Sequence, residues 1–199
     1  LAALTNYNMP IVVIGNRMSG SNVSSVFIDI KAAICELVTK YLETGIKDVA
    51  ILQDRKHKYI SEQMELGAKE AYEAKGLKFD NYIKIDASYR TSFDFCKHYL
   101  NDHRHEVMIA NRDSQAIAIS NASKEHEIKV PEEMEIVCVL DTKYNTMARP
   151  QISSFAIPSY DLGAVAMRVM TKMLAEEEEN AQGSEIELSY LFTPRQSTK

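Results

Sequence analysis

The most constraining feature of this chain is a regular alternation of short apolar runs with longer segments of helical periodicity. Continuous apolar runs such as MPIVVIG at 9–15, VMIAN at 107–111 and EIVCVL at 135–140 are typical of strands buried on both faces. Segments 30–45 and 60–76 place apolar residues at helical spacing and end on a glycine. The alternation predicts an α/β fold in which a mostly parallel sheet is flanked by helices.

The same pattern extends over the rest of the chain. We predict strands at 9–15, 25–29, 48–53, 82–86, 107–111, 135–140, 153–157 and 186–192, and helices at 30–45, 60–76, 90–101, 113–126 and 159–174. Ligands of such sheets bind beyond the carboxyl ends of the strands. Functional residues are therefore expected in the turns at 15–24, 53–60, 86–90, 111–114 and 140–149.

Composition excludes several classes of protein. A chain of 199 residues suffices for one large domain or two lobes, and a net charge of −5 argues against a general nucleic-acid surface. No apolar run reaches the length of about 20 residues needed for a membrane-spanning helix, and residues 1–20 lack the order of a signal peptide. The three cysteines, Cys35, Cys96 and Cys138, lie far apart in apolar surroundings, which predicts buried thiols and a cytoplasmic protein.

Enzymatic motifs are missing from the sequence. Only seven glycines occur, none grouped as in a phosphate-binding loop or a dinucleotide fingerprint, and there is no G-x-S-x-G nucleophile motif. His103 and His105 have a spacing that allows a shared metal, but a polar loop is the better interpretation. Asp113 and Asp141 follow strands, where they could act in acid–base chemistry or in capping and loop hydrogen bonds. We predict no enzyme activity, no cofactor and no metal.

The segment SYDLGAVAMRVMTKML at 159–174 carries an unusual pair of charges. Its apolar stripe is formed by Leu162, Val165, Ala166, Val169 and Met173. Arg168 and Lys172 lie one helical turn apart, where like charges repel by roughly 0.2–0.5 kcal/mol. No acid stands three or four residues from Arg168, whereas Lys172 could pair with Glu176. The two cations are either solvated surface charges or part of a site for an anion.

Several segments, taken in order, resemble the LacI/GalR family of bacterial transcription regulators. They are MPIVVIGNR, SSVFIDIKAA, AKGLKFD, VMIANRDSQAIA, KVPEEMEIVCVLD, RPQISSFAIPSYDLGAVAM and LFTPRQSTK. The resemblance implies a periplasmic-binding-protein-like fold with two parallel-sheet lobes flanked by helices. It places 1–26 and 154–180 in an incomplete N-terminal lobe, and 27–153 and 181–199 in a C-terminal lobe. It also implies a homodimer and a helix-turn-helix headpiece upstream, through which alone the regulator would contact DNA.

The resemblance further implies where an effector would bind. Sugar-responsive relatives use an arginine, an asparagine and an aspartate at positions that hold Met64, Arg112 and Leu140 here. Because a sugar requires directional hydrogen bonds, these replacements argue against a free sugar. A cleft formed by Met64, Arg112, Asp113 and Asp141 could instead take an anion such as a sugar phosphate, unless Arg112 is a salt-bridged structural residue. A periplasmic sugar-binding protein of the same fold is a further alternative.

Regulators of carbon catabolite control within this family act with a protein corepressor, the phosphocarrier HPr phosphorylated on a serine. The resemblance of YDLGAVAMRVMTK to these regulators implies that Tyr160, Asp161, Met167, Arg168 and Lys172 form the docking surface. Arg168 and Lys172 would receive the phosphoserine, since an arginine can hold two phosphate oxygens and a lysine adds a point charge. We therefore expect control by a protein partner rather than by a free sugar.

Overall fold

The fold is described from a computed structural model that covers residues 9–18, 20–56, 58–175 and 183–199. Parts of the predicted lobes and turns, at 1–8, 19, 57 and 176–182, lie outside these described residues. The chain divides into two compact units. Unit 1 contains the described residues up to Asp29 and those of Ile157–Tyr190, and unit 2 contains Ile30–Ala156 and Leu191–Lys199.

Strands and helices alternate along most of the chain, as the apolar pattern predicts. The strands are β1 Ile11–Ile14, β2 Val23–Phe27, β3 Val49–Asp54, β4 Tyr82–Ile85, β5 Val107–Ala110, β6 Glu135–Cys138, β7 Ser153–Ala156, β8 Glu185–Glu187 and β9 Leu191–Thr193. The helices are α1 Ile30–Glu43, α2 Lys58–Ala74, α3 Tyr89–Tyr99, α4 Asp113–Glu125, α5 Lys143–Met147 and α6 Ser159–Ala175. The predicted α/β class is confirmed.

Unit 1 is built on a three-stranded parallel sheet in the order β1-β2-β8. Helix α6 packs against this sheet through Leu162, Ala166 and Val169, which are buried members of the predicted apolar stripe. All five residues of β2 are buried, and the strand lies at the centre of the sheet between β1 and β8. The arrangement leaves the opposite face of α6 exposed.

Unit 2 is built on a six-stranded sheet in the order β4-β3-β5-β6-β7-β9. The first five strands are parallel, and β9 runs antiparallel to β7. Strands β5 and β6 are buried throughout, as continuous apolar runs require when helices cover both faces. Helices α1 and α2 touch at Gly67, where an added Cβ would lie 2.3 Å from the carbonyl oxygen of Lys31.

Two features differ from the predictions. The single strand predicted at 186–192 is divided into β8 and β9, which belong to different sheets. Residues 183–190 therefore fall in unit 1 rather than in the C-terminal lobe, because β8 pairs with the open edge of β2. Helix α5 was not predicted, since its five residues are too few to show a helical period. In the described residues, no helix has the length and apolarity to span a membrane.

Candidate functional site

The predicted docking residues lie on the exposed side of α6, and we call them the α6 surface: Tyr160, Asp161, Met167, Arg168 and Lys172. All five side chains are exposed. Tyr160 and Met167 are the most informative, because they are large and apolar yet 86% and 66% exposed. Apolar side chains of this size are usually covered in a folded protein when they cluster. The α6 surface therefore has the composition of a contact region.

A third exposed apolar residue extends the α6 surface towards the end of the helix. Leu174 is 67% exposed and follows Met167 by seven residues, the same interval that separates Met167 from Tyr160. Residues seven apart lie on nearly the same side of a helix, so the three side chains form one row. Sequence reasoning missed Leu174, although the repeated seven-residue interval in the printed sequence was a signal for it.

The charges of the α6 surface lie beside this apolar row. Arg168 and Lys172 are one turn apart and both exposed. Throughout the described ranges, the Arg168 guanidinium makes no ion pair or hydrogen bond with another residue of the chain. Lys172 is engaged in an interaction within the chain, and its predicted partner Glu176 lies outside the described residues. Chemically, the surface combines an available guanidinium, a neighbouring ammonium and exposed apolar area.

The second predicted site lies in unit 2, at the carboxyl ends of its strands, but its residues serve mainly structural roles. Asp141 accepts hydrogen bonds from Nη2 of Arg195 and Oγ of Ser154, both at 2.8 Å. Burial by itself raises the pKa of the Asp141 carboxyl, but the Arg195 guanidinium and the Ser154 hydroxyl outweigh it and leave the pKa below its usual value. This supports the interpretation of Asp141 as a loop-stabilising residue.

The other cleft residues are held by neighbours in the same way. Asp113 Oδ2 accepts a hydrogen bond from Thr142 at 2.8 Å, and Asp113 is the first residue of α4 rather than its cap. The Arg112 Nε lies 3.9 Å from Oδ2 of the buried Asp54, in agreement with the structural alternative for Arg112. Met64 is fully buried and its side chain is part of the core beneath α2, while its place beside an effector stays a prediction. Asp113 and Asp141 therefore lie close to Thr142, whereas Met64 lies in the core of unit 2.

A cavity that sequence reasoning did not find opens at the carboxyl end of β3. It measures about 320 Å³ and is lined by Gln53, Asp54, Arg55, Lys58, Ser61, Glu62 and Lys84. The Oε1 atom of the buried Gln53 has no hydrogen-bond partner in the described structure. The three cations Arg55, Lys58 and Lys84 outnumber the two acids of the lining, Asp54 and Glu62, by one charge. Six of the seven lining residues lie within 53–62, which overlaps the turn predicted at 53–60, and Lys84 comes from β4.

The side chains of His103 and His105 each form hydrogen bonds with neighbouring residues. His105 Nδ1 lies 2.7 Å from Oδ1 of Asp48, and its Nε2 lies 2.7 Å from the Tyr99 hydroxyl. The His103 ring stacks on Tyr99 at 4.2 Å between centroids. Within 9–18, 20–56, 58–175 and 183–199, no group of three or more acidic, histidine or cysteine side chains could hold a metal ion.

The sequence of this chain is similar to those of known proteins. Residues 38–198 match the model of the periplasmic binding protein-like domain. Catabolite control protein A of Priestia megaterium is 29% identical over 195 residues, which are 96% of this chain and 58% of that protein. The corresponding protein of Staphylococcus aureus strain N315 is 31% identical over 85% of this chain and 52% of its own length. The chain thus spans a little more than half of these relatives.

A solved structure extends the likeness to three dimensions. The transcription regulator CcpA of Lactococcus lactis superposes with a TM-score of 0.82 at 27% identity, over 100% of this chain and 73% of that one. The fold, the order of elements and the matched range all lead to one assignment. This chain belongs to the periplasmic binding protein-like domain family and is similar to the core of catabolite control protein A and of LacI-family transcription regulators.

Proposed function

We propose that this chain is the core of a transcription regulator of carbon catabolite control, and that its α6 surface docks serine-phosphorylated HPr. The observation that carries the proposal is the exposed Arg168–Lys172 pair beside an exposed apolar row, in a chain similar to catabolite control protein A. In this proposal the chain is cytoplasmic, acts as a homodimer and contacts DNA only through a headpiece upstream.

The charges of the α6 surface suit a phosphoserine. The ester carries a charge of about −1.5 to −2 at pH 7, so placing it between two cations converts their repulsion into attraction. The planar guanidinium of Arg168 can donate two parallel hydrogen bonds, and each charge-assisted bond contributes roughly 1.5–3 kcal/mol. Tyr160, Met167 and Leu174 supply apolar area around this charged contact. The combination favours a phosphorylated protein over a free phosphate, which could not use the apolar row.

Calorimetric titration of the chain with HPr, phosphorylated and unphosphorylated, tests the proposal. We expect binding of the phosphorylated carrier and at least about tenfold weaker binding of the other form, as one lost charge-assisted bond predicts. Arg168→Ala should weaken the phosphorylated complex by a similar factor. Arg90→Ala is the matched control, because it removes an exposed helical arginine from unit 2. Equal affinity for both carriers, or equal effects of the two variants, would contradict the proposal.

The cavity at the end of β3 favours a second candidate function, the binding of a small anionic effector such as a sugar phosphate. Arg55, Lys58 and Lys84 supply the positive charge, which exceeds the negative charge of Asp54 and Glu62 in the same lining by one. A hexose phosphate should then raise the melting temperature of the chain, whereas the unphosphorylated hexose should not. Loss of the shift in Lys58→Ala, but not in Arg90→Ala, is the expected result.

A further inference from the structure

Unit 2 contains another cavity, at the edge of its sheet opposite to the predicted effector cleft. It measures about 350 Å³ and lies beside Glu135, the first residue of β6. Asp141, by contrast, follows the carboxyl end of the same strand. Because the neighbouring strands are parallel, this cavity occupies the amino-terminal edge of the sheet, away from the turns in which this fold class binds its ligands.

A buried carboxylate is the distinctive group of this cavity. Glu135 is only 4% exposed, and its Oε2 accepts a hydrogen bond of 2.9 Å from the Tyr41 hydroxyl. In the described parts of the chain, no lysine, arginine or histidine forms a salt bridge with Glu135, and its Oε1 has no hydrogen-bond partner. One carboxylate oxygen is thus available at the wall of a cavity of ligand size.

The hydroxyl partner does not neutralise this charge. Burial and, after it, the adjacent Glu135 raise the pKa of Tyr41 well above its usual value, so Tyr41 remains an uncharged donor. A buried carboxylate that has only a neutral partner is costly, because it has given up hydration without gaining a counterion. An incoming cation would supply that counterion, whereas an anion would be repelled.

The remaining walls are mostly apolar. Leu37 and Ile46 lie on one side, and Phe192 and Pro194, from β9 and the segment after it, lie on another. Two lysines also line the cavity. Lys40 is paired with Glu36 at 2.7 Å, and Lys199 is exposed. The cavity therefore offers one buried anionic group, an apolar interior and charges at its exposed margin.

We propose that this cavity binds a small organic cation, a primary amine with an apolar body. Its ammonium group donates a hydrogen bond to Oε1 of Glu135, and its body packs against Leu37, Phe192 and Pro194. The volume lies at the lower end of the range typical of small-molecule sites, which limits the ligand to about one ring and a short chain. This site is independent of the α6 surface, which belongs to unit 1.

Titration of the chain with 2-phenylethylammonium, followed by heteronuclear NMR, tests the proposal. We expect saturable shifts for the amides around Glu135 and Phe192, and at least about tenfold weaker binding of 2-phenylethanol and 3-phenylpropanoate, which lack the cation. Shifts that are equal for the amine and the alcohol would show a purely apolar pocket and would overturn the proposal, as would the absence of saturable shifts.

Variants separate the carboxylate from its surroundings. Glu135→Gln keeps the shape and an acceptor for Tyr41, and it should weaken amine binding at least about tenfold. Glu132→Gln is the matched control, since it removes the same charge from an exposed position nearby and should leave the affinity unchanged. If Glu135→Gln binds the amine as well as the unaltered chain does, or if both variants weaken binding equally, the proposal fails. Lys199→Met should bind the amine at least as tightly, and a loss of affinity there would also refute it.

Discussion

Replacement of Asp141 by asparagine probes the contact that ties the end of the chain to the sheet of unit 2. The Asp141 carboxylate accepts hydrogen bonds from Arg195 and Ser154, and the side chains of Asp141 and Arg195 are only 22% and 12% exposed. Arg195 also donates to the carbonyl oxygen of Ile152 at 2.8 Å. Asp141→Asn preserves the shape but leaves the guanidinium without its counterion.

The expected loss of stability follows from the burial of this pair. A hydrogen bond to a charged group contributes roughly 1.5–3 kcal/mol, and removal of one partner from a fully buried ion pair costs roughly 3–5 kcal/mol. Because Asp141 retains some exposure to solvent, we expect the free energy of unfolding to fall by about 2–4 kcal/mol. With a urea m-value of about 2 kcal/mol/M, the unfolding midpoint should move down by roughly 1–2 M.

Urea unfolding followed by far-ultraviolet circular dichroism measures this loss, with Asp113→Asn as the matched control. Asp113 is hydrogen-bonded to Thr142 but to no arginine in the described structure, so its replacement should cost about 1 kcal/mol or less. The pKa of Asp141 is lowered in the folded state. Its contribution is therefore complete above the unfolded value of about 3.9 and is lost as the pH falls through the lower folded value. Equal losses in the two variants, or an unchanged acid dependence in Asp141→Asn, would refute this account.

Two further predictions concern the packing of helices and the thiols. Gly67→Ala should destabilise the chain by about 1–3 kcal/mol in the same urea assay, because the added Cβ would meet the backbone of α1. Gly163→Ala should stabilise the chain by up to about 1 kcal/mol, since open space surrounds that position in α6. Similar effects of both variants on the free energy of unfolding would contradict this packing. Burial raises the pKa of Cys96 and of Cys138 to about 12, so iodoacetamide at pH 8 should label the half-buried Cys35 first and the other two only after unfolding. Mass spectrometry of peptides would detect the order, and equal labelling of all three thiols in the folded chain would disprove it.

Local patterns predicted the elements of this fold because their causes are local. A continuous apolar run such as 107–111 is sufficient to indicate a strand covered on both faces, and β5 is indeed fully buried. Likewise, the periodicity of 159–174 identified which face of α6 packs inward, with Leu162, Ala166 and Val169 buried. The exposed positions of Arg168 and Lys172 follow from the same 3.6-residue period.

Contacts between distant segments were not predictable in this way. The apolar character of 186–192 is the same whether it forms one strand or two, and only the open edges of β2 and β7 separate β8 from β9. Asp141 and Arg195 are 54 residues apart, so the sequence around Asp141 does not indicate that Arg195 is its partner. The same is true of Tyr41 and Glu135, which are 94 residues apart.

The sequence by itself determined the α/β class, the inward face of α6 and the cations on its outward face, because each depends on the spacing of residues within one element. The tertiary structure alone decided that Met64 is in the core, that Asp141 is held by Arg195 and that Glu135 borders a cavity. The physical reason is that burial and pKa depend on which segments the sheet brings together, and that pairing is a property of the whole unit rather than of any single stretch.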